Sequence, residues 1–299
     1  MAARYLRFEL HGAAEPRRAP WLERLLARAA DAPADPDWRA DALRIIAPQT
    51  PLPPVAAVAY CAAHGPRRQG SVFLATPLHY LAEISNVRLA EQGILSLDAA
   101  EAESLARDFN RDWVDAGVDL WAAAGRLFCG FDAPLEASTH DPEPMRGRHL
   151  EDFLPGGAHG RRLRSLMSEI EMWLFEHAVN QARRQRAQLP LSALWLWGGG
   201  APLAALPAVQ GSAAGGDVLF DAYAPAQGET ADIMRLHAGP NSPEWSEMQS
   251  RWLEPTLAAL QSRRLERLEL SAGARRLVID ARWRRRFWRR AKPWWEYFE

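Results

Sequence analysis

His177, Asn180, Arg183 and Arg184 are the residues whose types and spacing most readily suggest chemistry. Positions three and four apart share one face of a helix, so the four polar groups form a row. A guanidinium is a planar fork for phosphate or carboxylate, and an asparagine amide can orient such a group. The row lies upstream of an apolar segment, residues 191–197, that runs into Gly198, Gly199 and Gly200. Consecutive glycines let backbone N–H groups approach an anion closely. A glycine loop at the carboxyl end of a buried strand is where open α/β sheets commonly bind ligands. The competing reading is a solvated helix end, with its cations near the negative end of the helix dipole.

Trp195 and Trp197 alternate with Leu194 and Leu196, so both indoles face one side of a strand. They either stack on a ligand beside the glycines or fill the space between sheet and helix. His79, two residues after Pro77, and Arg88, one strand further on, are candidates for the same crevice. The alternative for His79 is burial against a backbone carbonyl. His140, Asp141, His149, Asp152 and His159 suit a metal by type, but their spacing matches no compact ligand pattern. Cys61 with His64 is a half-motif without a second pair. No metal or organic cofactor is expected. The chain has no Gly-x-Ser-x-Gly elbow, no Walker-type loop and no Gly-x-Gly-x-x-Gly between strand and helix. In the tail, residues 282–299, Arg284, Arg285, Arg286, Arg289 and Arg290 surround Trp283, Phe287 and Trp288. Such interleaving can grip single-stranded nucleic acid or an anionic surface. Alternatively the aromatics pin a helix to the core and leave the arginines in water.

The elements that must position these groups are read from periodicity and punctuation. A strand over 4–10 and a helix over 20–30 precede a proline-rich connector at 48–54. Residues 55–63 fit a strand or a helix equally. Strands follow at 71–81, interrupted at Pro77, and at 84–89. Ser96 is read as the cap of a helix whose stripe is Leu97, Leu105, Phe109 and Trp113. Two strands, 118–122 and 126–131, lead to a long surface loop, 132–148. One long helix spans 161–187, and 191–197 is read as a central strand. Beyond it come a strand at 218–223, a helix at 244–262, a hairpin from 265–270 and 276–279, and a basic helix at 282–290. This alternation predicts a single α/β domain, a layered mixed sheet flanked by helices.

Composition narrows the class further. The 299 residues carry 36 basic and 37 acidic side chains, a formal net charge of −1. Lys292 is the sole lysine, so arginine abundance alone is no nucleic-acid signature. From Arg275 to Lys292, however, nine basic residues meet one acid, Asp280, a polarity that attracts acidic partners. Two cysteines are too few for a disulfide scaffold. The first residues lack the apolar core of a signal peptide, and no apolar run reaches the roughly 18 residues that span a bilayer. A cytoplasmic, reduced protein is expected.

The segments HAVNQARR and LSALWLWGGG resemble the signature of bacterial RpfE-type regulatory proteins, whose members read close to His-Pro-Val-Asn-x-x-Arg and Asn-Ser-Leu-Trp-Leu-Trp-Gly-Gly-Gly. SEIEMWL, TPLHYL and RRRFWRR extend the likeness over about residues 72–290, with the tight match at 169–200. That family is distantly similar to archaeal-type, cofactor-independent phosphoglycerate mutases of the alkaline phosphatase superfamily. In those enzymes the related element belongs to the phosphosugar-binding region. The resemblance implies that His177, Asn180 and Arg183 contact an anionic ligand, with Gly198, Gly199 and Gly200 at the rim. Here Ala178 stands where the family has proline, and Leu191 and Ser192 replace the asparagine-containing pair. The superfamily also needs an Asp-Gly pair near the N-terminus and Gly-Asp-His near the C-terminus. This chain has no Asp-Gly dipeptide, and Gly216-Asp217 is followed by Val218. Two-metal phosphoryl transfer requires those carboxylates and histidines. The implied protein is therefore a non-catalytic, regulatory relative that binds a small anionic ligand or a protein partner. The alternatives are a metal-dependent mutase or phosphatase with an unfamiliar ligand set, and a nucleic-acid or anionic-surface binder acting through the C-terminal arginines.

Overall fold

Prolines mark both places where the chain passes between two units of a computed structural model. The first unit joins Met1–Leu52 to Pro207–Glu299, and the second is Pro53–Leu206. Pro51, Pro53 and Pro54 stand at one crossing, Pro202 and Pro207 at the other. Proline's fixed φ and missing N–H keep regular structure from running through them. The boundary between the two units at Leu52 and Pro53 falls within the proline-rich stretch 48–54. The first unit combines both ends of the chain, which local periodicity cannot reveal. The described residues are 3–8, 20–65, 69–83, 86–226, 229, 231–236, 249–280, 283–286 and 289–297.

In chain order the elements begin with β1 (Ala3–Phe8), α1 (Pro20–Leu26), β2 (Ala30–Ala32), α2 (Trp38–Ile46) and α3 (Val55–His64). Next come β3 (Ser71–Ala82), β4 (Val87–Ile94), α4 (Ala99–Asp112), β5 (Val118–Ala123), β6 (Arg126–Phe131), α5 (Gly160–Glu176), α6 (Ala178–Gln185) and β7 (Ala193–Gly200). The chain closes with β8 (Ala213–Ala214), β9 (Ile233–Leu236), α7 (Glu254–Gln261), β10 (Arg267–Ala272) and β11 (Arg275–Asp280). The protein is mixed α/β, with two sheets flanked by helices. Among the described residues no helix is long and apolar enough to cross a membrane.

The first unit holds a mixed sheet of order β2-β11-β10-β1-β9-β8. β10, β1, β9 and β8 run parallel, while β11 turns back on β10 as the expected hairpin and pairs antiparallel with β2. Its core gathers Leu6, Leu22, Leu268, Leu270, Trp252 and Trp294. Asp217 is buried beside this sheet and accepts from Arg39 at 2.9 Å and Arg235 at 3.4 Å. Burial alone would raise its pKa; the two guanidiniums outweigh that and hold it below the usual carboxylate range. Residues 218–223 are not a strand, because Asp217 accepts from the Leu219 N–H and starts a 3-10 turn at Phe220–Tyr223.

The second unit is built on β3, and every strand pairing in its sheet is antiparallel. β3 pairs with β6, β7 and β4, and it runs through Pro77 rather than breaking there. Pro77 keeps its place opposite Leu194, and the register shifts lie between Val72 and Leu74 and between Leu78 and Tyr80. Among the described residues β7 pairs with β3 alone, which makes it an edge strand and not a central one. Its apolar run reflects cover by α3 and α5. The positive φ of both Ala124 (48°) and Gly125 (72°) makes the tight β5–β6 turn.

Several boundaries differ from expectation for local reasons. Asp98, not Ser96, caps α4: its side chain accepts from the Glu101 N–H while Glu101 reaches back to the Asp98 N–H. The ambiguous stretch 55–63 is helical. β4 starts at Val87, and residues 84–85 lie outside the described residues. The helix expected at 244–262 is a π turn, Gln249–Leu253, running into α7, with 244–248 outside the described residues. Of the basic helix expected at 282–290, Trp283–Arg286 form a 3-10 turn, and 282, 287 and 288 lie outside the described residues. Because Asp217 anchors two arginines at no exposure, Asp217→Ala should lower stability by about 3 kcal/mol or more in urea unfolding.

Candidate functional site

The helix expected across 161–187 breaks at His177. This residue is extended, with φ −64° and ψ 143°, so it ends α5 and caps α6. The Val179 N–H donates to His177 Nδ1 at 3.1 Å, and Nε2 faces Asp108 Oδ2 at 3.3 Å. One ring nitrogen accepts and the other meets a carboxylate, which favours the neutral imidazole with its proton on Nε2. Burial pushes the His177 pKa down, against the opposing pull of Asp108.

The break turns the expected row inward. Asn180 is buried, and its Nδ2 donates to the Leu174 carbonyl at 2.7 Å and the Leu191 carbonyl at 2.8 Å. Its Oδ1 accepts from the Leu191 N–H at 2.7 Å. Both amide hydrogens are therefore used within the protein. Arg183 donates from Nε to the Leu189 carbonyl at 2.8 Å and from Nη1 to Glu101 at 2.8 Å. Glu101 also receives Arg186 at 2.6 Å. His79 Nδ1 lies 3.0 Å from the Pro190 carbonyl. Three candidates thus converge on the consecutive residues Leu189, Pro190 and Leu191, where they brace the approach to β7. Arg184 is exposed, and Arg88 pairs with Glu83 at 2.9 Å, apart from this brace.

The glycines also serve packing. A Cβ on Gly199 would meet the Phe73 ring at 2.1 Å, and one on Gly200 would meet Pro54 at 2.5 Å. Gly198 takes φ +64° and donates its N–H to Thr139 Oγ1 at 3.1 Å. Trp197 donates to Thr76 Oγ1 and Trp195 to the His140 carbonyl, each at 2.8 Å. The close approach permitted by these glycines is made by the protein's own side chains. The partners Glu101 and Asp108 escaped the sequence reading, although Asp98-x-x-Glu101 is a legible capping box.

Among the described residues no group of three or more His, Cys, Asp or Glu side chains could hold a metal ion. Asp217, in the one Gly-Asp pair of the chain, is engaged by Arg39 and Arg235, a cationic setting unsuited to a divalent ion.

Exposed cationic groups gather instead in the first unit, around a cleft of about 420 Å³. Arg275, Arg289, Arg290 and Lys292 line it, with Tyr297 and one acid, Asp31. Arg286 and Arg289 donate to the carbonyls of Arg28 (2.9 Å) and Ala29 (2.8 Å), which fixes the tail against the end of α1. Arg275 pairs with Asp31 at 2.7 Å. Lys292 lies 4.8 Å from the Tyr297 ring centre and also donates to the Glu296 carbonyl. Arg290 is exposed and has no partner among the described residues. Trp283 and Trp295 pack against the core, as the anchoring alternative expected for the tail's aromatics. The side chains of Arg284 and Arg285, with Phe287 and Trp288, lie outside the described residues.

No family model matches the chain. Over 65 residues it is 31% identical to the 2,3-bisphosphoglycerate-independent phosphoglycerate mutase of Methanosarcina barkeri. That match covers 22% of this chain and spans only 16% of the relative's length. The solved cofactor-independent phosphoglycerate mutase of Thermoplasma acidophilum aligns over 93% of this chain and 89% of its own, with a TM-score of 0.38 and 12% identity. A Pyrococcus horikoshii protein aligns over 94% and 88%, with a TM-score of 0.38 and 10% identity. The similarity to cofactor-independent phosphoglycerate mutases is weak in both sequence and structure.

Asn180→Ala removes the partner of the Leu191 N–H and carbonyl, while the Leu174 carbonyl keeps the His177 N–H, so urea unfolding should show a loss of about 2 to 3 kcal/mol. Arg184→Ala should change stability by less than about 0.5 kcal/mol. The lowered His177 pKa means that the unfolded chain binds the proton more readily. Stability should therefore hold above about pH 6.5 and fall as the pH drops through the folded-state value. His177→Asn, which keeps a capping side chain without a titrating one, should flatten that part of the stability profile.

Proposed function

We propose that this chain is a non-catalytic, phosphoglycerate-mutase-like regulatory protein. In this reading it binds a small phosphorylated or carboxylated anion in the cleft at its C-terminal tail. The carrying observation is the set of four cationic side chains facing one acid around about 420 Å³, with Arg290 exposed and unengaged among the described residues. That volume suits a small ligand. An arginine fork and an ammonium on neighbouring walls match an anion with two charged ends. Asn180 and Arg183, the residues first expected to hold the anion, act in this reading as structural braces.

The non-catalytic assignment rests on the missing Asp-Gly and Gly-Asp-His elements and on the guanidiniums around Asp217. A cytoplasmic setting is part of the proposal, since two cysteines in 299 residues are too few for a disulfide scaffold. Among the described residues the tail's aromatics Trp283, Trp294 and Trp295 pack on the core, which favours a small anion over a nucleic-acid strand that stacks its bases on aromatic faces.

Calorimetric titration with 3-phosphoglycerate and with inorganic phosphate tests the reading. Saturable binding is expected, weakened about tenfold by Arg290→Ala and steeply by added salt. Unchanged affinity in Arg290→Ala, or tighter binding of a single-stranded oligonucleotide, overturns the assigned ligand. Mutase or phosphatase turnover with magnesium or manganese overturns the non-catalytic assignment.

A further inference from the structure

The second unit contains a cleft of opposite character, about 430 Å³ in volume and lined from β3, β4, β7, α5 and the 3-10 turn Leu150–Phe153. Leu150, Met167, Ala193 and Trp195 are buried side chains on its apolar surface. Val87 and Leu154 also line it and remain 38% and 44% exposed. Three carboxylates, Glu83, Glu151 and Glu171, share the lining with one guanidinium, Arg164. Arg88 already neutralises Glu83 at 2.9 Å, and Arg164 donates to the Pro155 carbonyl. Glu151 and Glu171 have no ion-pair partner among the described residues, and the Tyr80 hydroxyl has no hydrogen-bond partner among them.

The three carboxylates are exposed, and so are Val87 and Leu154 of the same lining. An apolar body with one positive end satisfies them together, because it covers the exposed valine and leucine while meeting the carboxylates. The volume falls in the range of small-molecule sites, about 300 to 1,000 Å³, and is too small for a folded partner. Burial, with the Glu171 charge as a second cause, pushes the Tyr80 phenol well above its ordinary pKa and keeps it a neutral donor. Burial likewise raises the Glu171 carboxyl, an unfavourable state that a neighbouring cation relieves.

We propose that this cleft binds a small organic cation, an amine or quaternary ammonium carried on an aromatic or aliphatic body. The ammonium lies against Glu151 and Glu171. The body packs on Val87 and Leu154, and the Tyr80 hydroxyl orients a polar substituent. The site is independent of the anion cleft, since all its residues belong to the other unit.

Calorimetric titration of the full chain with 2-phenylethylamine, against its carboxylate counterpart 3-phenylpropionate, tests the proposal. The amine should bind saturably and at least about tenfold more tightly than the carboxylate. The double variant Glu151→Gln with Glu171→Gln should remove that preference while keeping the fold. Tyr80→Phe should weaken the hydroxylated amine tyramine more than 2-phenylethylamine, and Arg290→Ala should leave amine binding unchanged. Equal affinity for amine and carboxylate, no binding of the amine at millimolar concentration, or an amine preference that survives the double Gln variant each overturns it.

Discussion

A guanidinium taken out of water must be answered by a carboxylate or by carbonyls, and this constraint organises both units. In the second unit Arg183 is answered by Glu101 and by the Leu189 carbonyl. In the first, Arg39 and Arg235 share Asp217. Such pairs owe little of their value to net attraction, because desolvation cancels much of it. Their force lies in the penalty for separation: a partner left behind is a buried, uncompensated charge. Each pair therefore dictates which segments must come together, and the intervening structure follows.

In an arginine-rich chain this separates structural cations from functional ones. Arg183 has the type and spacing of an anion ligand, yet it is spent on joining α6 to the first turn of α4. Glu101 can receive it there because the same carboxylate favours the positive end of the α4 dipole. Arg290, within the basic and aromatic run of the tail, is exposed with no partner among the described residues. The second unit's cleft carries the opposite sign, since Glu151 and Glu171 have no arginine paired to them among the described residues. The two candidate sites thus differ by which charge the folding of each unit leaves unanswered.

Much of the secondary structure was legible. The β5–β6 and β10–β11 hairpins follow from short alternating runs around turn residues, and the apolar stripe of α4 is plain in Leu105 and Phe109. The break at His177 was hidden because the residues on both sides keep helical periodicity. A capping bond from Val179 and a carboxylate distant in sequence hold the histidine extended there. The strand ending in three glycines was read as central from its apolarity, but cover by helices buries an edge strand equally well.

The sequence by itself determined the local order of the elements, the proline crossings, the absence of an Asp-Gly dipeptide and of a Gly-Asp-His run, and the concentration of positive charge near the C-terminus. These depend on residue type and short-range spacing, which survive without three-dimensional information. Only the tertiary structure decided that His79, Asn180 and Arg183 face three consecutive residues of the same chain, that Phe73 and Pro54 occupy the space the glycines leave, and that the two clefts have opposite charge. Those outcomes depend on contacts between residues far apart in sequence, and a polar side chain's role is set by which groups reach it first.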